Sequence, residues 1–381
     1  MKVKAFIPAV LLLCFGVMLG IRSSCALQMG GDELRNYISW EDLRVVEDGR
    51  RERSYSIKEN SNWLAPNANA NANAANSSRV IVVDKNGGGD SVTVQGAVDM
   101  VPVSNSERVK IFILPGIYRE KVIVPQSKPY ISFIGNESYA GDTVISWSDK
   151  ASDPDPDCVG QELGTYKTAT VSIESDFFCA TAITFENTIV AEAGEEGKQA
   201  VALRVIGDKA MFYRVRVLGS QDTLCDDAGS HYFYQSYIQG NIDFIFGNAK
   251  SLYEECEIHS TARRYGAIAA HHRNSESEDT GFSFVNCEIN GTGKVYLGRA
   301  WGNYSRTVYS DCFIADIITP VGWSDWRDPQ RQSKVLFGEY NCRGRGAERG
   351  GRVPWSKSFT SDEVKPFLGR EFIYGDQWLR L

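Results

Sequence analysis

The chain has 381 residues, 43 % of them hydrophobic and 23 % charged, with 35 Gly and 12 Pro, a globular composition that excludes a disordered or collagen-like chain. Lys and Arg number 41 against 48 Asp and Glu, a formal net charge of −7, which argues against a nucleic-acid partner. Four histidines (His231, His259, His271 and His272) and nine cysteines show no CxxC or HExxH spacing, so no metal site is expected. His271 and His272, adjacent on a strand, would point to opposite faces and are read as structural or surface residues.

Lys2 and Lys4 precede an apolar stretch from Ala5 to Ile21, followed by small residues at Ser24-Cys25-Ala26. This is the pattern of a secretory signal peptide over residues 1–26. The stretch contains Pro8, Gly16 and Gly20 and falls short of the ~20 apolar residues of a span. The expectation is a secreted, extracellular protein with no membrane segment. Cleavage near Ala26 removes three basic residues and two cysteines, leaving 38 basic against 48 acidic residues, net −10, and seven cysteines. An odd number leaves at least one thiol unpaired. Residues 27–78 read as a leader and flexible linker, with Arg50-Arg51-Glu52-Arg53 and an Asn/Ala run from Asn67 to Asn76 that has no hydrophobic period. The β-branched run from Arg79 to Asp84 opens an ordered domain over 79–381.

From there the chain repeats. Phe212–Gly219, Phe233–Gly240, Leu252–His259, Phe284–Gly291 and Tyr309–Asp316 share one alternating pattern, and their fourth residues, Val215, Ser236, Cys256, Cys287 and Cys312, are spaced 21, 20, 31 and 25 apart. Units of this length predict an all-β chain wound as a right-handed, single-stranded parallel β-helix with equivalent side chains stacked in ladders. A leucine-rich repeat would show a Leu framework that is missing. Rungs lie ~4.8 Å apart, within the Cα range of a disulfide, so a Cys256–Cys287 bridge is expected over a column of buried thiols. The long parallel face suits an extended polymer, and on a secreted protein that suggests a polysaccharide.

A GxSxG elbow is absent, and no His stands near a Ser as its base, so serine esterase chemistry is unsupported. Acid and amide residues stand out in apolar frames instead. Asp243 begins the hydrophobic run Asp243-Phe-Ile-Phe-Gly247, where a carboxylate is costly unless paired. Asp222, in Gln221-Asp-Thr-Leu224, lies 21 residues earlier, about one coil, which sets two carboxylates on adjacent rungs. Close carboxylates push their pKa values apart, the requirement for a nucleophile beside a general acid. The bland readings are a turn start for Asp222, a buried ion pair for Asp243 with Arg299, and a ladder amide for Gln199.

Gly116-Ile-Tyr-Arg-Glu120, Gln199-Ala-Val-Ala-Leu203, Gln221-Asp-Thr-Leu224, Asp243-Phe-Ile-Phe-Gly247 and Leu297-Gly-Arg-Ala-Trp301 together resemble, in order, the signature set of plant pectinesterases (pectin methylesterases) over about residues 79–381. The resemblance implies hydrolysis of the C6 methyl esters of homogalacturonan without a cofactor, in the cell wall. By resemblance Asp243 is the nucleophile, Asp222 the proton donor, and Gln221, with Gln199, the oxyanion donor. Arg299 holds Asp243, and Thr165, Gln199, Arg299 and Trp301 line the substrate site. The Gly116–Glu120 motif is read as structural.

Three features depart from that pattern. Ala300 stands where most plant members have proline, which frees the backbone between two site residues. The ~50 residues after the signal are too short for the inhibitor-like helical pro-domain, so autoinhibition is not expected. The interval from Asp243 to Arg299 is shorter than in many members, which bears on the groove's rim. Residues 79–381 carry 32 basic and 40 acidic residues, so weak retention on de-esterified pectin is expected. Asn76, Asn136, Asn290 and Asn303 begin glycosylation sequons, and a glycan on Asn303 would crowd Trp301. A monomer is expected, with methyl-esterified homogalacturonan as partner and a proteinaceous pectinesterase inhibitor as a further one. A silent pectin-binding protein or a pectin lyase are the alternatives.

Overall fold

A computed structural model describes residues 36–45, 79–191 and 194–381. The signal peptide and most of the leader expected from sequence lie outside the described residues.

The repeats wind into a parallel β-helix, the fold class expected. Successive strands from Arg79–Val83 to Lys357–Ser358 form one 11-stranded parallel sheet, and the strands between them form a 14-stranded sheet that folds over two faces. Phe212, Phe233, Tyr253, Phe284 and Tyr309 stand in register, with ring centroids 4.5 to 4.8 Å apart. Offset stacking at that spacing adds to the burial of each ring. The residue before each repeat position (Arg214, Gln235, Glu255, Asn286 and Asp311) has φ between 49° and 55°. One left-handed residue per coil turns the chain from the first sheet to the second, and Val215, Ser236, Cys256, Cys287 and Cys312 then face inward, fully buried.

All seven cysteines among the described residues are free thiols, so the Cys256–Cys287 bridge expected from the ladder is corrected. Parallel, in-register strands keep the two Cβ vectors side by side at the rung spacing, whereas a disulfide wants Cβ atoms ~3.8 Å apart. The Cys256 and Cys287 thiols instead donate to the carbonyls of Phe233 and Tyr253, at 3.4 and 3.3 Å.

Part of the stretch read as leader belongs to the folded body. Ile38–Ser39 pairs in parallel with Leu379–Arg380, and Ile38 and Leu43 are buried against Cys179, Met211, Tyr232 and Leu252 on the outer face of the 11-stranded sheet. The Gly116–Glu120 motif is structural, as read. Tyr118 hydroxyl donates to the Leu114 carbonyl at 2.9 Å, and the Glu120 carboxylate accepts from Val94 and Gln95 N–H, at 2.8 and 2.9 Å. It thereby satisfies orphan donors of the helix Val94–Asp99.

Candidate active site

The site lies where the 14-stranded sheet bends. In two successive coils the strand breaks at the bend: Arg216–Leu218 is separated from Leu224–Asp226, and Tyr237–Gly240 from Ile245–Gly247. In the next coil, Glu257–His271 runs through the bend as one strand, pairing with both pieces of the coil before it. Asp222 and Asp243 occupy the two breaks with φ of 61° and 46°, a conformation Asp tolerates better than most residues. Gln221 bridges Ile242 in parallel, and Asp222 N–H donates to the Ile242 carbonyl at 3.0 Å. The two carboxylates therefore stand on adjacent rungs. Ser220 and Asn241 brace the corner behind them: Asn241 Nδ2 donates to the Ala191 carbonyl at 2.5 Å and to Ser220 Oγ at 2.9 Å.

Arg299 ends the strand Glu288–Arg299, and register runs from Phe246 through Ala270 to Arg299. The small Ala270 side chain leaves the guanidinium room to reach back across its rung. Arg299 Nη1 donates to Asp243 Oδ2 at 2.9 Å. Asp243 Oδ1 is buried and has no hydrogen-bond partner, so one oxygen is fixed and the other is free. Burial pushes the Asp243 carboxyl up to about 6 against the opposing pull of Arg299. Burial, with the neighbouring Asp243 charge, lifts Asp222 well above the carboxylate range, again opposed by Arg299. Such a pair keeps one proton between two acids once the pH is above about 6, where Asp243 is ionised and Asp222 is not.

Around this pair, Ala169, Val201, Cys225, Phe246 and Ala270 form an apolar floor on the outer face, on which Trp301 and Trp326 pack. Thr165 opens the turn Thr165–Thr168, which is tied to the floor because Val201 N–H donates to Thr168 Oγ1 at 2.9 Å. Gln199, half-buried, precedes Ala200, whose N–H donates to the Gln221 carbonyl at 3.1 Å. The seven residues singled out in the sequence thus fall in four neighbouring coils (Thr165, Gln199, Gln221 with Asp222, and Asp243) and at the strand end that carries Arg299 and Trp301.

Three neighbours had no local signal. The Trp326 ring lies 3.9 Å from the Arg299 guanidinium carbon, a cation–π contact that holds the arginine's other face. His272, read as structural or surface, has its ring centroid 3.9 Å from that of Trp301 and walls the site, while His271 points inward to Phe282. Tyr166 stacks on the Arg204 guanidinium, 5.6 Å from its ring centroid. Each is brought in from a different coil or loop, so only the alternation of adjacent residues, which set His271 and His272 on opposite faces, was readable.

A profile of the Pectinesterase family matches residues 80–376. The chain is 85 % identical over 382 residues to pectinesterase QRT1 of Arabidopsis thaliana, covering all of both chains, and 39 % identical over 311 residues to pectinesterase 31 of the same plant, covering 80 % and 96 %. Its fold is similar to that of a pectin methylesterase from carrot, with a TM-score of 0.71 and 34 % identity over 81 % of this chain and 96 % of that one. An Aspergillus niger pectin methylesterase gives 0.66 and 28 %, over 81 % and 98 %. The chain is a member of the pectinesterase family.

Proposed function

We propose that this enzyme hydrolyses the C6 methyl esters of homogalacturonan through a covalent intermediate on Asp243. The observation that carries the proposal is the asymmetric carboxylate: Oδ2 is held by Arg299 while Oδ1 is unpaired beside a second acid, Asp222. Asp243 Oδ1 attacks the ester carbonyl, and the tetrahedral oxyanion accepts N–H bonds from the Gln221 and Gln199 amides, neutral donors that leave the acid pair's balance undisturbed. Collapse breaks the bond to the methoxy oxygen, which takes the proton of Asp222 and leaves as methanol. Asp222, now ionised, removes a proton from water as the hydroxyl adds to the acyl carbon, which restores its acid form, and collapse of the adduct breaks the bond to Asp243, releasing its carboxylate and the free galacturonosyl carboxyl group. Trp301 supplies a stacking face for the sugar ring beside the scissile ester, and Thr165 is a further substrate contact.

The amino-terminal pattern supports secretion to the cell wall, where methyl-esterified homogalacturonan is the substrate partner. A proteinaceous inhibitor would have to cover the same face. Methanol release from highly esterified pectin by wild type and by Asp243→Asn, with unsaturated products and reducing ends followed in parallel, tests the reading. Methanol from wild type alone is the expected result. Unsaturated product would make it a lyase, and binding without product would make it a silent pectin-binding protein.

A further inference from the structure

The Arg299-Ala300-Trp301 tripeptide carries both the residue that holds the nucleophile and the sugar platform, and at its centre Ala300 imposes little restriction on φ. Its conformation must be held from outside. The segment that follows Trp323 supplies the hold. Ala300 N–H donates to the Ser324 carbonyl at 2.9 Å, and seven residues after Ser324 the turn Pro329–Arg331 brings Arg331 back over the tripeptide. Arg331 Nη1 donates to both the Ala300 and Trp301 carbonyls, at 2.5 and 2.6 Å. Its Nε donates to Asp328 Oδ2 at 3.1 Å, and Asp328 in turn caps the turn by accepting from Gln330 N–H at 3.1 Å. The Arg331 side chain is 19 % exposed, so its charge is directed at these carbonyls more than at solvent.

We infer that Arg331, aimed by Asp328, is a positioning residue for the esterase reaction: it fixes the backbone of Ala300 and Trp301 and so sets the Trp301 platform against Arg299 and the acid pair. A charge-assisted bond to two successive carbonyls restricts both adjoining peptide planes. A loosened platform costs substrate positioning before it costs fold, because misplacement of about 1 Å at a site is felt strongly in rate. The inference rests on the function proposed above, and wild-type methanol release tests that function separately.

The test is steady-state kinetics on esterified pectin. Arg331→Met keeps the apolar stem but no donor, and is expected to raise KM on the order of three- to tenfold with kcat changed less than about threefold. Arg331→Lys, which retains a donor nitrogen, should recover at least half of that loss on a logarithmic scale. Ala300→Pro fixes φ covalently while removing only the Ala300 N–H bond to Ser324 and leaving both carbonyls that Arg331 holds, so, measured against the Ala300→Pro parent, Arg331→Met should raise KM by a clearly smaller factor. This comparison separates a backbone role from a plain loss of positive charge, which proline cannot relieve. A wild-type KM in Arg331→Met, a lysine variant no better than methionine, or an equal cost in both backgrounds would each overturn the inference.

Discussion

Asp243 and Asp222 are chemically identical side chains whose difference comes from their neighbours. Arg299 bonds one oxygen of Asp243 and no hydrogen bond reaches the other, while Asp222 lies beside that charge. Activity requires Asp243 ionised and Asp222 protonated. With Asp243 pushed up to about 6, kcat/KM should fall as pH drops through that region, since the nucleophile gains a proton. An alkaline limb follows where Asp222 loses its own. Arg299 lowers both groups, so Arg299→Gln should move the acid limb upward as well as reduce kcat by on the order of a hundredfold. A pH–rate profile of the two enzymes checks the sign; an acid limb that stays put in the variant would disconnect Arg299 from the ionisation. Asp243→Asn should lower kcat by on the order of a thousandfold or more. Because Asn also tolerates the left-handed backbone at this corner, its thermal midpoint should stay near wild type. Loss of activity with intact fold is the outcome that assigns chemistry to the carboxylate.

At the scale of elements, the break and the ladder explain what could and could not be read ahead. The coil length was legible because one left-handed residue and one inward residue recur in each coil, and Asp222 and Asp243 were legible because a 21-residue step equals one rung. Trp326, Tyr166 and His272 were not, since a ring's approach to Arg299, Arg204 or Trp301 depends on how loops of unequal length return to the same face. The cysteine column shows the same limit: spacing gives the rung separation but not the direction of the Cβ vectors. In the described structure the column consists of thiols donating to carbonyls. Alkylation of unreduced, denatured mature protein should therefore label all seven cysteines, read by mass spectrometry. Cys287→Ala should cost less than the 2–5 kcal/mol that loss of a native disulfide brings. Label missing from both Cys256 and Cys287 would restore the bridge. Within the neighbouring aromatic stack, Phe233→Ala removes a fully buried ring between two others and should destabilise by about 3–5 kcal/mol in urea unfolding.

Across the whole molecule, the two long outer faces carry different duties. The site occupies the bend of the 14-stranded sheet, whereas the outer face of the 11-stranded sheet is covered by residues 36–45 and the chain's last strand, paired to each other. Lys110, buried on that face, donates through Nζ to the carbonyls of Glu41 and Arg44 at 2.6 and 2.9 Å, and Arg108 meets Asp42 at 3.7 Å. The amino-terminal segment thus supplies both apolar cover and the partners of two cations. A mature chain beginning at residue 46 would lose the burial of Ile38 and Leu43, worth about 1.5–3 kcal/mol each, and would leave Lys110 without its acceptors. Its thermal midpoint should fall by several degrees. Because this cover and the acid pair belong to different sheets, KM on esterified pectin and the pH–rate profile should match the full mature enzyme at temperatures where both are folded. A truncated enzyme with higher kcat would reveal instead an inhibitory segment, and an unchanged midpoint would mean the strap contributes nothing to the fold it covers.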